Sequence, residues 1–296
     1  MTKIVISDNM ESEVIEGMRE LGEVVYKPEN LVEALKDAEV LIVRSKTKVI
    51  KPIIEGAPKL KIIARAGVGL DNIDLQTAEK KGIIIVNTPG ASANAVAELV
   101  IGHTLSCFRN IAKANCQMKN KIWDKKNLVG YEVEGKTIGI IGYGRIGSMV
   151  GKKAHGLGMK VTAYNPPPRH EDEIVKFIED FDEFLGQADI ITLHVPGTSE
   201  TKDMINKESI SKMKDGVCLV NTSRGDVIDE DALYDACRSG KVGSAALDVY
   251  KNEPYDGKLL ELDNVSFTPH LGASTKEAQL RIGKELIEKI RKELGQ

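Results

Sequence analysis

The chain has 296 residues, enough for two domains with cores of ordinary size. Apolar residues make up 42% and charged residues 29%, which excludes a disordered chain. A net charge of −3, with five Phe and one Trp, argues against nucleic acid or an anionic membrane as a partner.

Short apolar runs alternate with amphipathic stretches from the start. Ile4-Val5-Ile6 reads as a strand, and Met10, Val14, Ile15, Met18 and Leu21 follow at helical spacing. Val24-Val25-Tyr26 is the next strand and Leu31 to Leu35 a short helix. Val40 to Val43, Ile62 to Ala64 and Ile83 to Val86 are further strands, with a helix near Asp74 to Lys80. Continuous Val/Ile strands separated by helices indicate a parallel sheet covered on both faces. From Ala91 to Lys119 the chain is rich in alanine and lacks proline, and it reads as one long helix. Its apolar positions, among them Val96, Val100, Phe108, Ile111 and Met118, lie on several sides, so burial between domains or subunits is expected.

A second series begins at Thr137-Ile138-Gly139-Ile140-Ile141. Strands are expected at Lys160 to Tyr164, Ile190 to His194, Val217 to Asn221, Ala245 to Val249 and Val265 to Phe267. The proline run Pro166-Pro167-Pro168 ends the strand before it. A helix from Lys276 to Leu294 closes the chain, with Ser274-Thr275-Lys276-Glu277 as its capping box. The fold class is therefore α/β, with two doubly wound parallel-sheet domains. The four cysteines, Cys107, Cys116, Cys218 and Cys237, form no CxxC pair, so reduced and partly buried thiols are expected rather than a metal site. No signal-peptide pattern precedes the first strand and no apolar run nears the ~20 residues that span a bilayer, which suggests a cytoplasmic protein.

Gly142-Tyr143-Gly144-Arg145-Ile146-Gly147 matches G-x-G-x-x-G. The pattern is weak alone, but here it follows a strong strand and opens a helical stretch. Gly142 permits the tight turn, Gly144 lets the backbone approach a pyrophosphate, and Gly147 lets the helix pack on the strand. The helix N-terminus then offers N–H groups to the phosphates. A dinucleotide cofactor follows. An acidic residue is expected about 20 residues on, to meet the ribose hydroxyls. Asn165 stands there instead, with Arg169 just beyond it. Asn still bonds a hydroxyl but does not repel a 2′-phosphate, so NAD is favoured over NADP less firmly than the glycines imply.

Hydride chemistry needs an acid/base group and a cation for the substrate. Histidine is the natural acid/base near neutral pH. His103 lies inside the apolar helix and reads as a packing residue. His155 sits near a helix C-terminus, and His170 is in a charged loop. His194 and His270 both follow strands, on the side where open α/β sheets bind ligands. Spacing alone does not choose between them. Arg224, in Asn221-Thr222-Ser223-Arg224-Gly225, is placed to fork onto a carboxylate. Glu253, in Asp248 to Pro254, is placed to orient a histidine.

Taken together these segments resemble the D-2-hydroxyacid dehydrogenase family. The matching stretches are Arg65 to Asp74, the glycine loop, Asn221 to Asp226, Ala246 to Val249, Asn252-Glu253-Pro254 and Pro269 to Gln279, in order along nearly the whole chain. Pro269 to Gln279 is most similar to the phosphoglycerate dehydrogenase branch. The resemblance implies that His270 is the general acid/base, that Glu253 pairs with its imidazole, and that Arg224 anchors the substrate carboxylate and C2 oxygen. It places Arg145, Ile146, Thr222, Val195 and Ala273 along NAD, Asp248 at the nicotinamide end, and Asn165 at the ribose. It gives Val68 and Gly69 N–H groups to the substrate carboxylate, and Arg44 and Lys46 to a substrate phosphate. It implies a flavodoxin-like substrate domain at 1–90 and 274–296, a Rossmann domain at 91–273, and a homodimer through the 91–119 region.

The implied reaction is oxidation of 3-phospho-D-glycerate to 3-phosphohydroxypyruvate, the first step of phosphorylated L-serine biosynthesis. A reductase of glyoxylate, hydroxypyruvate or another 2-keto acid is the alternative within the family. An NAD-sensing binding protein without catalysis is the alternative outside it. Longer family members carry C-terminal regulatory domains. The 26 residues after His270 leave no room for one, so serine feedback is not expected.

Overall fold

A computed structural model of the chain describes residues 1–167 and 172–296. Pro168, Arg169 and His170, noted above as part of a strand-ending run, the arginine just beyond Asn165 and a loop histidine, lie outside the described residues. The chain divides into two units, Met1–Ala95 with Ala273–Gln296, and Val96–Gly272.

The first unit holds, in order, β1 (Lys3–Ile6), α1 (Ser12–Arg19), β2 (Glu23–Tyr26), α2 (Leu31–Leu35), β3 (Val40–Val43), α3 (Lys51–Glu55), β4 (Ile62–Arg65), α4 (Leu75–Lys80) and β5 (Ile84–Asn87). Its five strands are all parallel in the order β2-β1-β3-β4-β5, a flavodoxin-like arrangement. Alternate residues feed two cores: Ile4, Ile6, Val40 and Ile42 face one side, and Val5, Leu41 and Val43 the other. Helices must cover both faces, which is why β3 is buried at every position. The final helix returns to this unit and fills the first of these cores with Ile282, Leu286 and Ile290.

Next come α5 (Ala93–Phe108) and α6 (Ile111–Lys119), so the stretch expected as one helix is two. Asn110 adopts a left-handed conformation (φ 51°), which asparagine tolerates and which breaks the helical ladder. Tyr131 N–H takes the Phe108 carbonyl at 2.8 Å, satisfying the end of α5. Ile111 and Met118, expected to be buried between domains or subunits, are more than half exposed in the single chain.

The second unit continues with β6 (Thr137–Ile141), α7 (Arg145–Gly156), β7 (Lys160–Tyr164), β8 (Val175–Phe177), α8 (Phe181–Gln187), β9 (Ile190–Leu193), α9 (Lys207–Lys212), β10 (Val217–Asn221), α10 (Glu230–Ser239), β11 (Val242–Leu247) and β12 (Val265–Phe267). The seven parallel strands run β12-β11-β10-β9-β6-β7-β8, with the order reversing between β6 and β9. That is the Rossmann arrangement. The short edge strand β8 was not read from the sequence, because Val175-Lys176-Phe177 is interrupted by an exposed lysine and forms no continuous apolar run.

The chain closes with α11 (Lys276–Glu293). Its N-cap is Thr275, whose hydroxyl accepts from Ala278 N–H, one residue later than the Ser274–Glu277 capping box supposed. Gln279 is drawn back instead, and its amide donates to the Ala273 carbonyl. All four cysteines are free; Cys218 and Cys237 are buried, but Cys116 is exposed, against the expectation of partial burial. No helix is long and apolar enough to cross a membrane, and no group of three or more metal-ligating side chains occurs, both among the described residues.

Candidate active site

The glycine loop lies between β6 and α7, at the point where the strand order of the second unit reverses. Gly142 has φ +91°, and a methyl there would sit 2.6 Å from the His194 carbonyl oxygen. A methyl on Gly147 would sit 2.3 Å from the Gly142 carbonyl, so α7 packs directly on the turn. Gly144 differs, because a methyl there would meet no protein atom within 4 Å. Gly144 and Arg145 are exposed, and the first turn of α7 has its backbone donors beside this open space.

Two buried polar atoms near the same strand ends lack a partner, Nδ1 of His194 and Oγ1 of Thr222. Burial also holds the His194 ring far below the ordinary histidine value, so it is neutral at pH 7. An open cradle at Gly144 with orphaned donors and acceptors after β9 and β10 fits a dinucleotide, since such groups are costly to leave unmade. Val195 packs beside Gly142, and Asn165 braces the loop: its side-chain oxygen accepts from Tyr143 N–H at 2.8 Å. The Tyr143 hydroxyl donates to Asp172 at 2.9 Å, which fastens the loop a second time.

Three loops of the second unit hold the residues that the sequence singled out for chemistry. Asn221, 1% exposed, organises the loop after β10. Its Oδ1 accepts from Ser223 N–H and Oγ, and its Nδ2 donates to the Arg224 carbonyl at 2.8 Å. Arg224 Nη1 donates to the Ser223 carbonyl at 2.7 Å. Gly225 is pressed against the Tyr250 backbone, where a methyl would lie 1.9 Å from the carbonyl carbon. A side chain at 225 would therefore drive the Arg224 loop away from the Asp248–Glu253 loop.

His270 Nδ1 lies 2.9 and 3.1 Å from the two Glu253 oxygens, with both side chains partly exposed. The Glu253 contact is made through Nδ1, which leaves Nε2 on the opposite side of the ring. The two histidines that spacing could not separate differ in surroundings: His270 has a carboxylate partner, whereas His194 bonds Thr192 and is buried at Nδ1. His155 is an exposed residue in the last turn of α7.

His270 itself is in the left-handed region (φ 54°). That conformation costs about 1–2 kcal/mol for an L-residue and needs support. Asp248, 1% exposed, supplies it: Oδ1 accepts from Leu271 N–H at 2.7 Å and Oδ2 from Gly272 N–H at 2.8 Å. Thr268 Oγ1 also donates to Asp248, at 2.5 Å. The Tyr250 hydroxyl lies 2.9 and 2.8 Å from the Leu247 and Thr268 carbonyls, and Tyr250 N–H points to Glu253 at 3.3 Å. Burial raises the Tyr250 hydroxyl to about 12, with Asp248 adding to the effect, so it remains a donor. Sequence reading did not identify Thr268 or Tyr250 as supports, since their roles depend on which strand ends meet.

In the first unit, Arg44 and Lys46 follow β3, and Asp8 follows β1, where this sheet reverses its order. Asp8 is 5% exposed, and its carboxylate accepts from Arg44 N–H, Thr47 N–H and Thr47 Oγ1 at 2.6, 3.2 and 2.7 Å. Asn72 donates to the Arg44 and Thr47 carbonyls at 2.8 and 2.7 Å. The loop backbone is thus pinned on both sides while Lys46 stays exposed and Arg44 half-buried. After β4, Val68 is exposed and its carbonyl accepts from Asn87 Nδ2 at 2.8 Å, with Gly69 beside it. Ala273 belongs to the first unit by its contacts.

Comparison with known proteins agrees with this architecture. Residues 101–272 match the model of the D-isomer specific 2-hydroxyacid dehydrogenase family, NAD binding domain. The chain is 54% identical over 271 residues to the hydroxypyruvate reductase of Thermotoga maritima, covering 90% of this chain and 88% of that protein. It is 47% identical over 302 residues to the D-3-phosphoglycerate dehydrogenase of Methanocaldococcus jannaschii, covering 99% of this chain but 58% of that longer protein. Among solved structures, the D-lactate dehydrogenase of Aquifex aeolicus, complexed with NAD and lactic acid, superposes with a TM-score of 0.87 at 32% identity, covering 99% of this chain and 96% of that one.

Proposed function

The chain belongs to the D-isomer specific 2-hydroxyacid dehydrogenases, and we propose that it oxidises 3-phospho-D-glycerate to 3-phosphohydroxypyruvate with NAD. When bound, NAD supplies the hydride acceptor for C2. The residues that would hold it are the backbone of Gly142 to Gly147, including Arg145 and Ile146, with Asn165, Val195, Thr222, Asp248 and Ala273. The chain's own chemistry is proton transfer and charge placement. His270 Nε2 takes the proton of the C2 hydroxyl, and Glu253 on Nδ1 stabilises the imidazolium that results. Arg224 holds the C1 carboxylate and polarises the C2 oxygen, and the Val68 and Gly69 amides share the carboxylate.

The observation that carries the phosphorylated substrate is the pinned Arg44–Thr47 loop. Asp8 and Asn72 fix its backbone so that two cations follow one strand end; Arg44 Nη1 donates to the Asn9 carbonyl at 3.3 Å, and among the described residues neither side chain forms an ion pair with a carboxylate. Such a loop suits a dianionic phosphate better than a hydroxyl. On this reading the product enters the phosphorylated route to L-serine. The second reading, reduction of hydroxypyruvate, is favoured by the higher identity to the Thermotoga protein over most of its length.

Initial rates with 3-phosphoglycerate and NAD, against phosphohydroxypyruvate, hydroxypyruvate and glyoxylate in reverse, test the two. A strong preference for the phosphorylated pair supports the first reading. Turnover confined to unphosphorylated keto acids selects the second, and no turnover on any of them overturns both. We also infer a homodimer through the 91–119 region and the segment after it. Ile111, Met118, Ile122, Trp123, Val129 and Tyr131 are each more than half exposed, more apolar surface than an isolated chain ordinarily leaves in water. Light scattering of wild type and Trp123→Glu checks this, with a monomeric wild type as the contrary result.

A further inference from the structure

His103 lies on α5 in the second unit and is 6% exposed. Its spacing marks it as packing, yet its Nε2 is 3.0 Å from Thr268 Oγ1. The direction of that bond follows from proton counting. A threonine hydroxyl has one hydrogen, and Thr268 gives it to Asp248 at 2.5 Å. Thr268 must therefore accept from His103, so Nε2 carries a hydrogen. Burial lowers the affinity of the His103 ring for a second proton, against an opposing pull from Asp248. The ring is then the neutral Nε2–H tautomer at pH 7 and above.

The line continues to the catalytic loop. Asp248 receives the Thr268 hydroxyl on the same oxygen that accepts Leu271 N–H, while its other oxygen accepts Gly272 N–H. These two amides immediately follow His270, the residue held at φ 54°. If the Thr268 hydroxyl turned away, Asp248 would lose one of three donors in a nearly dry site. A buried carboxylate short of a donor relaxes toward other partners, and the amides it holds go with it.

We propose that His103 is a positioning residue for His270. Its Nε2–H locks the Thr268 hydroxyl onto Asp248, and Asp248 then holds the 271–272 backbone so that the His270 imidazole stays against Glu253. The proposal rests on the assignment of His270 as the acid/base group. It gives a buried histidine far from that group in sequence a share in the reaction without contact with substrate.

The test compares His103→Phe, which keeps an aromatic ring but removes the donor, with His103→Gln, whose amide restores an N–H. Thr268→Val removes the hydroxyl at nearly constant shape and reads the same link if the His103→Phe chain fails to fold. Loss of one hydrogen bond of ordinary net worth corresponds to about a three- to tenfold fall in kcat. His103→Phe and Thr268→Val should each show that fall with little change in KM for NAD. Amide hydrogen exchange at Leu271 and Gly272, measured without cofactor, should quicken in both, and His103→Gln should recover most of the rate and the protection. Wild-type kcat and unchanged exchange at 271 and 272 in His103→Phe and Thr268→Val would overturn the proposal, as would the Gln variant behaving like Phe. His270→Ala run in parallel separates the two levels: if it keeps full turnover, the underlying assignment fails, whatever His103 does.

Discussion

Asp8 in the first unit and Asp248 in the second are buried carboxylates that brace loops by similar means. Each accepts two backbone N–H groups and one threonine hydroxyl, Arg44, Thr47 and the Thr47 side chain for Asp8, Leu271, Gly272 and Thr268 for Asp248. They differ in what stands behind the threonine and in what the loop presents. Thr47 belongs to the loop it braces. Thr268 is bonded in turn to His103 on a distant helix, and Tyr250 bonds the Thr268 carbonyl as well. The Asp8 loop presents long flexible cations, which tolerate small backbone errors. The Asp248 loop presents a short imidazole in a left-handed conformation, whose Nδ1 must stay within 3.1 Å of Glu253. On the proposed reading the first loop recognises substrate and needs only the right place, while the second carries the acid/base and needs the right place and angle, which accords with its additional support.

The largest expected effect falls on the loop of the proposed acid/base, His270. His270→Ala should lower kcat by about 10²- to 10⁴-fold, the usual worth of a placed acid/base, with cofactor affinity nearly unchanged. Steady-state rates beside cofactor-binding titration check this; equal losses in both would break the distinction between catalysis and binding in this unit. Next, Asp248→Ala and Asp8→Ala each remove a charged acceptor, worth about 1.5–3 kcal/mol per hydrogen bond to a charged group. The first should lower kcat, while the second should raise KM for 3-phosphoglycerate and leave kcat near wild type. The same kinetic signature from both would erase the comparison.

A smaller effect is expected from Arg44→Ala combined with Lys46→Ala. KM for the phosphorylated substrate should rise by about tenfold, a loss of ~1.4 kcal/mol, with hydroxypyruvate reduction unaffected. A parallel loss on both substrates would assign these cations to something other than phosphate.

The smallest effect is on stability. His103 and His194 are both held neutral by burial, and His194 is depressed to about 3. The unfolded chain takes up protons on them below about 6.5 that the folded chain resists, so stability is full above that pH and falls as pH drops toward 3. Thermal melts of the cofactor-free protein between pH 7.5 and 5 should show Tm falling with acidity, and His194→Gln should flatten the fall. A Tm that rises toward pH 5 would contradict the buried neutral histidines.

Much of this protein is determined by local sequence. Runs such as Val40 to Val43 and Val217 to Asn221 are apolar at nearly every position, so they require helices on both faces and a parallel sheet. The glycine loop announces its own turn, because Gly142 and Gly147 occupy places where a side chain would collide with backbone. Arg224, Glu253 and His270 could be named as candidates because each stands after an apolar run at a strand end. Tertiary structure decided the rest. Asn110 ended a helix that composition carried through, since one residue in a left-handed conformation outweighs a run of good helix formers. Spacing could not set His270 apart from His194, and only the structure shows a carboxylate 17 residues away in sequence against the His270 ring; His103, read as a packing residue, meets a hydroxyl 165 residues away. Periodicity records which side of an element is apolar, but a hydrogen bond between distant strand ends leaves no periodic trace.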